Sequence, residues 1–173
     1  MAKSDKEKVN SRLASQILRR VSEESFHFAS GIGAFTGESA NSLIDFQEKL
    51  DKIPLQCIMF HLYPRQPDFE SWIRETLGDD YLADQIAQID KSIKGEGLRK
   101  NLLSILESRL EHLKVIAITR VKGIGLKYSK KLIASGINSV NELAEKNPAD
   151  LSIRVGVSEK IVSRWIQNAK NTL

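Results

Sequence analysis

Two bends dominate what this chain can fold into. Lys122-Gly123-Ile124-Gly125 and Arg154-Val155-Gly156-Val157 each separate two short amphipathic helical patterns, with Ser135-Gly136-Ile137 breaking the stretch between them. Residues 113–173 therefore read as two helix pairs, each turning back through a hairpin of the form apolar-x-Gly-apolar-Gly or a shortened version of it. With no Cβ at Gly123 and Gly125, main-chain N–H groups can approach an anion directly and take positive φ without strain. The helix expected from about Leu126 adds the positive end of its dipole, so a phosphate oxygen would meet several donors at once. Such a site reads backbone, not base sequence.

The cations agree with this. Lys122, Lys127, Lys130 and Lys131 surround the first bend, and Arg154, Lys160 and Arg164 surround the second, where Gly156 and Ser158 are the expected backbone contacts. If about three to five of these contacted phosphates, log K on duplex would fall with log salt at a slope near ~0.9 per contact. The net charge is +4 over 173 residues. Residues 21–91 hold five Lys/Arg against thirteen Asp/Glu, a balance of −8, whereas residues 115–173 hold ten against four, a balance of +6. The two halves thus face opposite electrostatic tasks or partners.

Local grammar supports the same elements. Ser139 with Glu142 makes a capping box, Pro148 opens a helix, and Ser158 is placed to cap the last one, along which Ile161, Val162, Trp165, Ile166 and Ala169 form an apolar stripe. Trp165 reads as core, not as a base-stacking platform.

The run from Ile118 to Asn171 resembles the tandem helix-hairpin-helix fold found as the small N-terminal domain of archaeal and eukaryotic strand-exchange recombinases, and appended to nucleases, helicases and ligases. The shared features are Gly123 to Gly125, the lysine-rich helix, Gly136-Ile137-Asn138-Ser139-Val140 and Gly156-Val157-Ser158. The resemblance implies DNA binding without sequence preference, although some members hold proteins with the same fold. Val155 stands where a full second hairpin would carry its first glycine.

In the N-terminal half, residues 4–20 carry Val9, Leu13, Ile17 and Val21 at steps of four, which predicts an amphipathic helix. Phe26 and Phe28 alternate like a short strand, and Gly31, Gly33 and Gly37 are expected to break any regular element after it. A helix capped near Ser39 or Asn41 follows, with Leu43, Phe46 and Leu50 on one face. Residues 55–63 fit a buried helix or a strand, and helix is favoured. Residues 68–77 read as a helix stopped by Gly78, and Asp79 or Asp80 starts another through residue 90. Residues 91–97 are a linker, and 98–115 a long helix expected to join two domains. This half also resembles a small archaeal and bacterial domain of no assigned function, through Phe26-His27, Phe60-His61-Leu62, the stretch from Asp68-Phe69 to Asp79, and Leu82-Ala83.

Candidate chemistry outside the bends is sparse. His27, His61 and Asp68 could converge as a metal or acid/base site, although structural hydrogen bonding is the simpler role. Gly31-Ile32-Gly33 lacks the context of a phosphate loop, Asp79-Asp80 is explained by helix capping, and Cys57 sits in an apolar run as a buried hydrophobe. No apolar run approaches the ~20 residues of a membrane span, and the lysine-rich residues 1–10 carry no secretory signal.

The sequence thus predicts a mainly α, two-domain, cytoplasmic protein with one or two short strands at most. Its parts are an amphipathic N-terminal helix (1–20), an acidic helical domain (21–93), a linker and connecting helix (94–112) and a tandem helix-hairpin-helix domain (113–173). No catalytic group, metal or cofactor is expected. The expected partner is nucleic acid, as duplex or branched DNA held through Lys122, Gly123, Ile124, Gly125, Lys127, Lys130, Lys131, Arg154, Gly156, Ser158, Lys160 and Arg164. A protein partner is expected for the acidic domain, and no membrane. The expected function is non-catalytic DNA binding in repair, recombination or replication; the alternative is a protein-interaction adaptor.

Overall fold

A computed structural model describes residues 9–62, 67–90 and 92–173. Contacts divide these into two compact units, residues 16–110 and residues 9–15 with 111–173.

In the first unit a two-stranded sheet lies against helices. Strand β1 (Phe26–Ala29) pairs antiparallel with β2 (Phe35–Ala40), Phe26 opposite Ala40 and Ala29 opposite Phe35. The second strand corrects the expectation that the glycines end all regular structure. Gly37 takes φ +83° where the pairing slips between His27 and Ala29, so the glycine accommodates an irregularity within the hairpin. Phe26 and Phe28 face inward and meet Phe46, Phe69, Trp72 and His61 in one aromatic core, with centroids as close as 4.8 Å for Phe26 and His61.

Helix α1 (Ser11–Arg19) begins later than residues 4–20 suggested. Asn10 caps it, its Oδ1 accepting the Leu13 amide at 2.9 Å, and residues 4–8 of the expectation lie outside the described residues. Ala14 and Ile17 are buried, but Leu13 is 40% and Val21 68% exposed. A step of four drifts ahead of the helical repeat, and Val21 lies beyond the helix.

Helix α2 (Leu43–Leu50) buries Leu43, Phe46 and Leu50 as expected, but its cap is Ser42, not Ser39 or Asn41. Residues 55–62 are helical (α3, Leu55–Leu62). Next come α4 (Asp68–Ser71) and a wider, π-helical turn over Trp72–Leu77, closed by Gly78 at φ +73°. Asp79 caps α5 (Asp80–Ala87), which ends three residues before the expected position. The long α6 runs over Glu96–Ile118, extending the expected 98–115 at both ends and taking in part of the expected linker. Arg109 on it makes a buried, two-pronged ion pair with Asp79, at 2.9 Å for each contact, and lies over the Tyr81 ring.

In the second unit the end of α6 is followed by α7 (Leu126–Ala134), α8 (Val140–Ala144), α9 (Pro148–Val155) and α10 (Glu159–Lys170). Ile118, Val121, Ile124, Leu132, Leu143, Leu151, Val162 and Trp165 share one core. The Ser139–Glu142 box forms at the start of α8, with the Glu142 carboxylate accepting the Asn138 amide, and Asn147 with Pro148 starts α9. Two details differ from expectation. Ser158 occupies the cap position of α10 but makes no side-chain cap bond, and Ile161 is 41% exposed, so the apolar stripe is narrower. Among the described residues the chain is mainly α, with one small sheet.

Candidate nucleic-acid interface

The first hairpin is a turn over Val121–Ile124, closed by the Ile124 amide donating to the Val121 carbonyl at 3.0 Å. Gly123 sits at its corner with φ +91°, a conformation an L side chain adopts only at a cost of roughly 1–2 kcal/mol. A Cβ there would also stand 3.4 Å from Trp165 Nε1. Trp165 lies in the core, as expected, and its indole N–H donates to the Gly123 carbonyl at 3.0 Å; Asn168 Nδ2 donates to the Lys122 carbonyl at 2.7 Å. Helix α10 thus holds two hairpin carbonyls. Because the peptide is trans, fixing the Lys122 carbonyl toward α10 turns the Gly123 N–H the opposite way.

This geometry corrects two points of the sequence reading. The Ile124 amide already closes the turn, and its side chain is buried at 4% exposure, so Ile124 anchors the hairpin and donates nothing outward. Gly125 has φ −92°, ordinary extended backbone, so it needs no positive φ. A Cβ on it would meet open space, and what its bareness provides is access. The amides of Gly123, Gly125, Leu126 and Lys127 donate to no acceptor among the described residues, and the last two begin α7, where the helix dipole is positive. Lys122, Lys127 and Lys130 are exposed around them. Lys131 is exposed along its length but its Nζ lies 3.3 Å from the Val155 carbonyl, bridging to the second hairpin.

The second hairpin repeats the first 33 residues later. Gly156 matches Gly123, Val157 matches Ile124, Ser158 matches Gly125, Lys160 matches Lys127 and Arg164 matches Lys131. Gly156 has φ +64° and is exposed with Ser158, Lys160 and Arg164. Its amide, however, closes α9 on the Ser152 carbonyl, as does that of Val157. The Arg154 guanidinium folds back onto the Ser135 carbonyl at the end of α7. Of the residues the sequence singled out, the structure therefore gathers Lys122, Gly123, Gly125, Lys127 and Lys130 at one bend. Trp165 and Asn168 as its supports were not foreseen: Trp165 was read only as core, and nothing local marks Asn168.

In the first unit His27, His61 and Asp68 do come together, lining a cavity of about 570 Å³ with Phe26, Phe35 and Trp72. His61 is nevertheless occupied. Its Nε2 accepts the Ala29 amide at 2.8 Å, which places the proton on Nδ1, 2.9 Å from Asp68 Oδ2. Neither nitrogen offers a free lone pair to a metal, and the ring ties β1 to α3 and α4. Asp79 and Asp80 face Arg109 and Arg74, and burial pushes the Cys57 thiol up, as suits a core residue. Among the described residues no group of three metal-ligating side chains forms, and no helix is long and apolar enough to cross a membrane.

Two helix pairs with glycine bends, joined by a short helix, define the C-terminal unit as a helix-hairpin-helix tandem. Residues 115–171 match the family model of the SAM-like helix-hairpin-helix tandem, a third of the chain. Domains of that family generally bind nucleic acid. No curated protein matches the chain and no solved structure does.

Proposed function

We propose that the protein is a non-catalytic nucleic-acid-binding protein that grips phosphate backbone through its C-terminal unit without reading sequence. The observation that carries this is the first hairpin: a cluster of unengaged amides on exposed residues at the bend and the start of α7, with Lys122, Lys127 and Lys130 exposed around them. Backbone donors at a helix N-terminus within a cationic surround suit a polyanion and carry no preference among bases. The resemblance to the N-terminal domain of strand-exchange recombinases supports a role in DNA repair, recombination or replication, and the expected location is the cytoplasm. Fluorescence anisotropy with duplex, single-stranded and branched DNA tests the reading. Binding that weakens steeply with salt is expected, and binding to none of the three ends it.

A protein partner for the acidic first unit is the second reading. Ile32 and Phe35, at the tip of the β hairpin, are 99% and 70% exposed. A co-purifying protein lost on Ile32→Ser/Phe35→Ser, with DNA affinity unchanged, is the outcome this reading expects.

A further inference from the structure

Resting on the nucleic-acid reading above, we infer that the two hairpins are not equivalent: only the first binds phosphate, so the protein takes a single strand of backbone as its ligand and does not require a duplex.

Charge separates the two hairpins. Residues 118–141, around the first hairpin, hold five Lys/Arg and no Asp/Glu; residues 142–173, around the second, hold five against four, Glu142, Glu145, Asp150 and Glu159. Of the balance of +6 over residues 118–173, +5 lies in the stretch that carries the first bend and +1 in the stretch that carries the second. The residues that open the two helices differ as well. Where α7 opens with Leu126, α10 opens with Glu159, so a carboxylate stands at the helix end that a phosphate would need. There it is favoured by the dipole and repels an incoming anion. The donor at the corner of the bend differs too, although the helix-start amides of Ser158, Glu159 and Lys160 are as unengaged as those of Gly125, Leu126 and Lys127. The Gly123 amide is unengaged, whereas its counterpart at Gly156 donates to Ser152, and Arg154 beside it is turned onto the Ser135 carbonyl. Lys131 reaches across to the Val155 carbonyl, which fixes the second bend from the inside.

The second hairpin is then a structural copy. It supplies α10, and α10 supplies Trp165 and Asn168, which hold the first hairpin's carbonyls. One phosphate-binding bend has nothing to span two strands with, so single strand and duplex present it with the same chemistry. Duplex gains only from its higher charge density, with slopes of roughly 0.9 against 0.7 per contact.

The test compares two matched double variants of the full chain, Lys127→Gln/Lys130→Gln and Lys160→Gln/Arg164→Gln, each removing two positive charges. Affinity is read by anisotropy on a single-stranded and a duplex 20-mer over a salt series. Wild-type affinities for the two oligomers are expected to agree within roughly threefold at moderate salt, the first variant to lose tenfold or more with a slope smaller by about 1.8 on duplex, and the second to lose less than about threefold with its slope unchanged. Equal losses and equal slope changes, or a duplex preference abolished by the second variant, overturn the inference and leave the nucleic-acid reading standing. Wild-type protein that binds neither oligomer overturns both.

Discussion

Gly123 and Gly125 are two residues apart and look alike in the sequence, yet they do different things, and substitution separates them. Gly123→Ala forces a side chain into φ +91° against Trp165, so thermal unfolding should shift down by the equivalent of roughly 1–2 kcal/mol. Gly125→Ser places a hydroxyl in open space on extended backbone, at the position Ser158 holds in the second hairpin. Its Oγ can accept the free Lys127 amide, so the fold should hold or gain slightly while DNA affinity falls severalfold. A melting curve and an anisotropy titration of each variant check both statements. The sequence marks both glycines as special but not which one needs positive φ, because that depends on where the turn closes. Trp165→Phe removes the donor to the Gly123 carbonyl and should cost about 1 kcal/mol of stability. In the first unit, Arg109→Met leaves Asp79 as a buried charge without its partner, and unfolding by urea should show a loss of about 3–5 kcal/mol.

At the scale of elements, caps decided most of what was misplaced. Ser139→Ala removes a formed box at α8 and should lower stability by about 0.5–2 kcal/mol, with DNA affinity unchanged because α8 lies outside the first hairpin. That box was legible since serine and glutamate stand at the right spacing before an apolar run. The start of α2 was less so: Ser39, Asn41 and Ser42 are all good caps, and only β2, which runs through Ala40, excludes the first. β2 itself was hidden because Gly37 reads as a breaker until a pairing strand shows that it absorbs an irregularity. The helical character of residues 55–62 was undecidable from periodicity and is settled by packing. The second hairpin's position was plain from Gly156 and Val157, and the engagement of the Gly156 amide is a local helix cap that such a glycine signals, whereas the folding back of Arg154 onto the Ser135 carbonyl is tertiary and left no trace in the local pattern.

Across the whole molecule, charge is partitioned. The acidic stretch from 21 to 91 and the basic stretch from 115 to 173 lie largely in different compact units, so a polyanion is drawn to one unit and repelled by the other. The mainly α architecture and the C-terminal tandem followed from two glycine bends and helical periodicity, whereas the aromatic core of the first unit required the structure. Gly123, Gly125, Leu126 and Lys127 present unengaged main-chain donors at one bend. Amide chemical-shift mapping of the full chain with a short oligonucleotide reads those donors directly. Saturable shifts concentrated at Gly123, Gly125, Leu126 and Lys127, with Gly156 nearly still, are the predicted result. Shifts confined to the second hairpin or to the first unit, or tight binding that leaves these four amides unmoved, would contradict it.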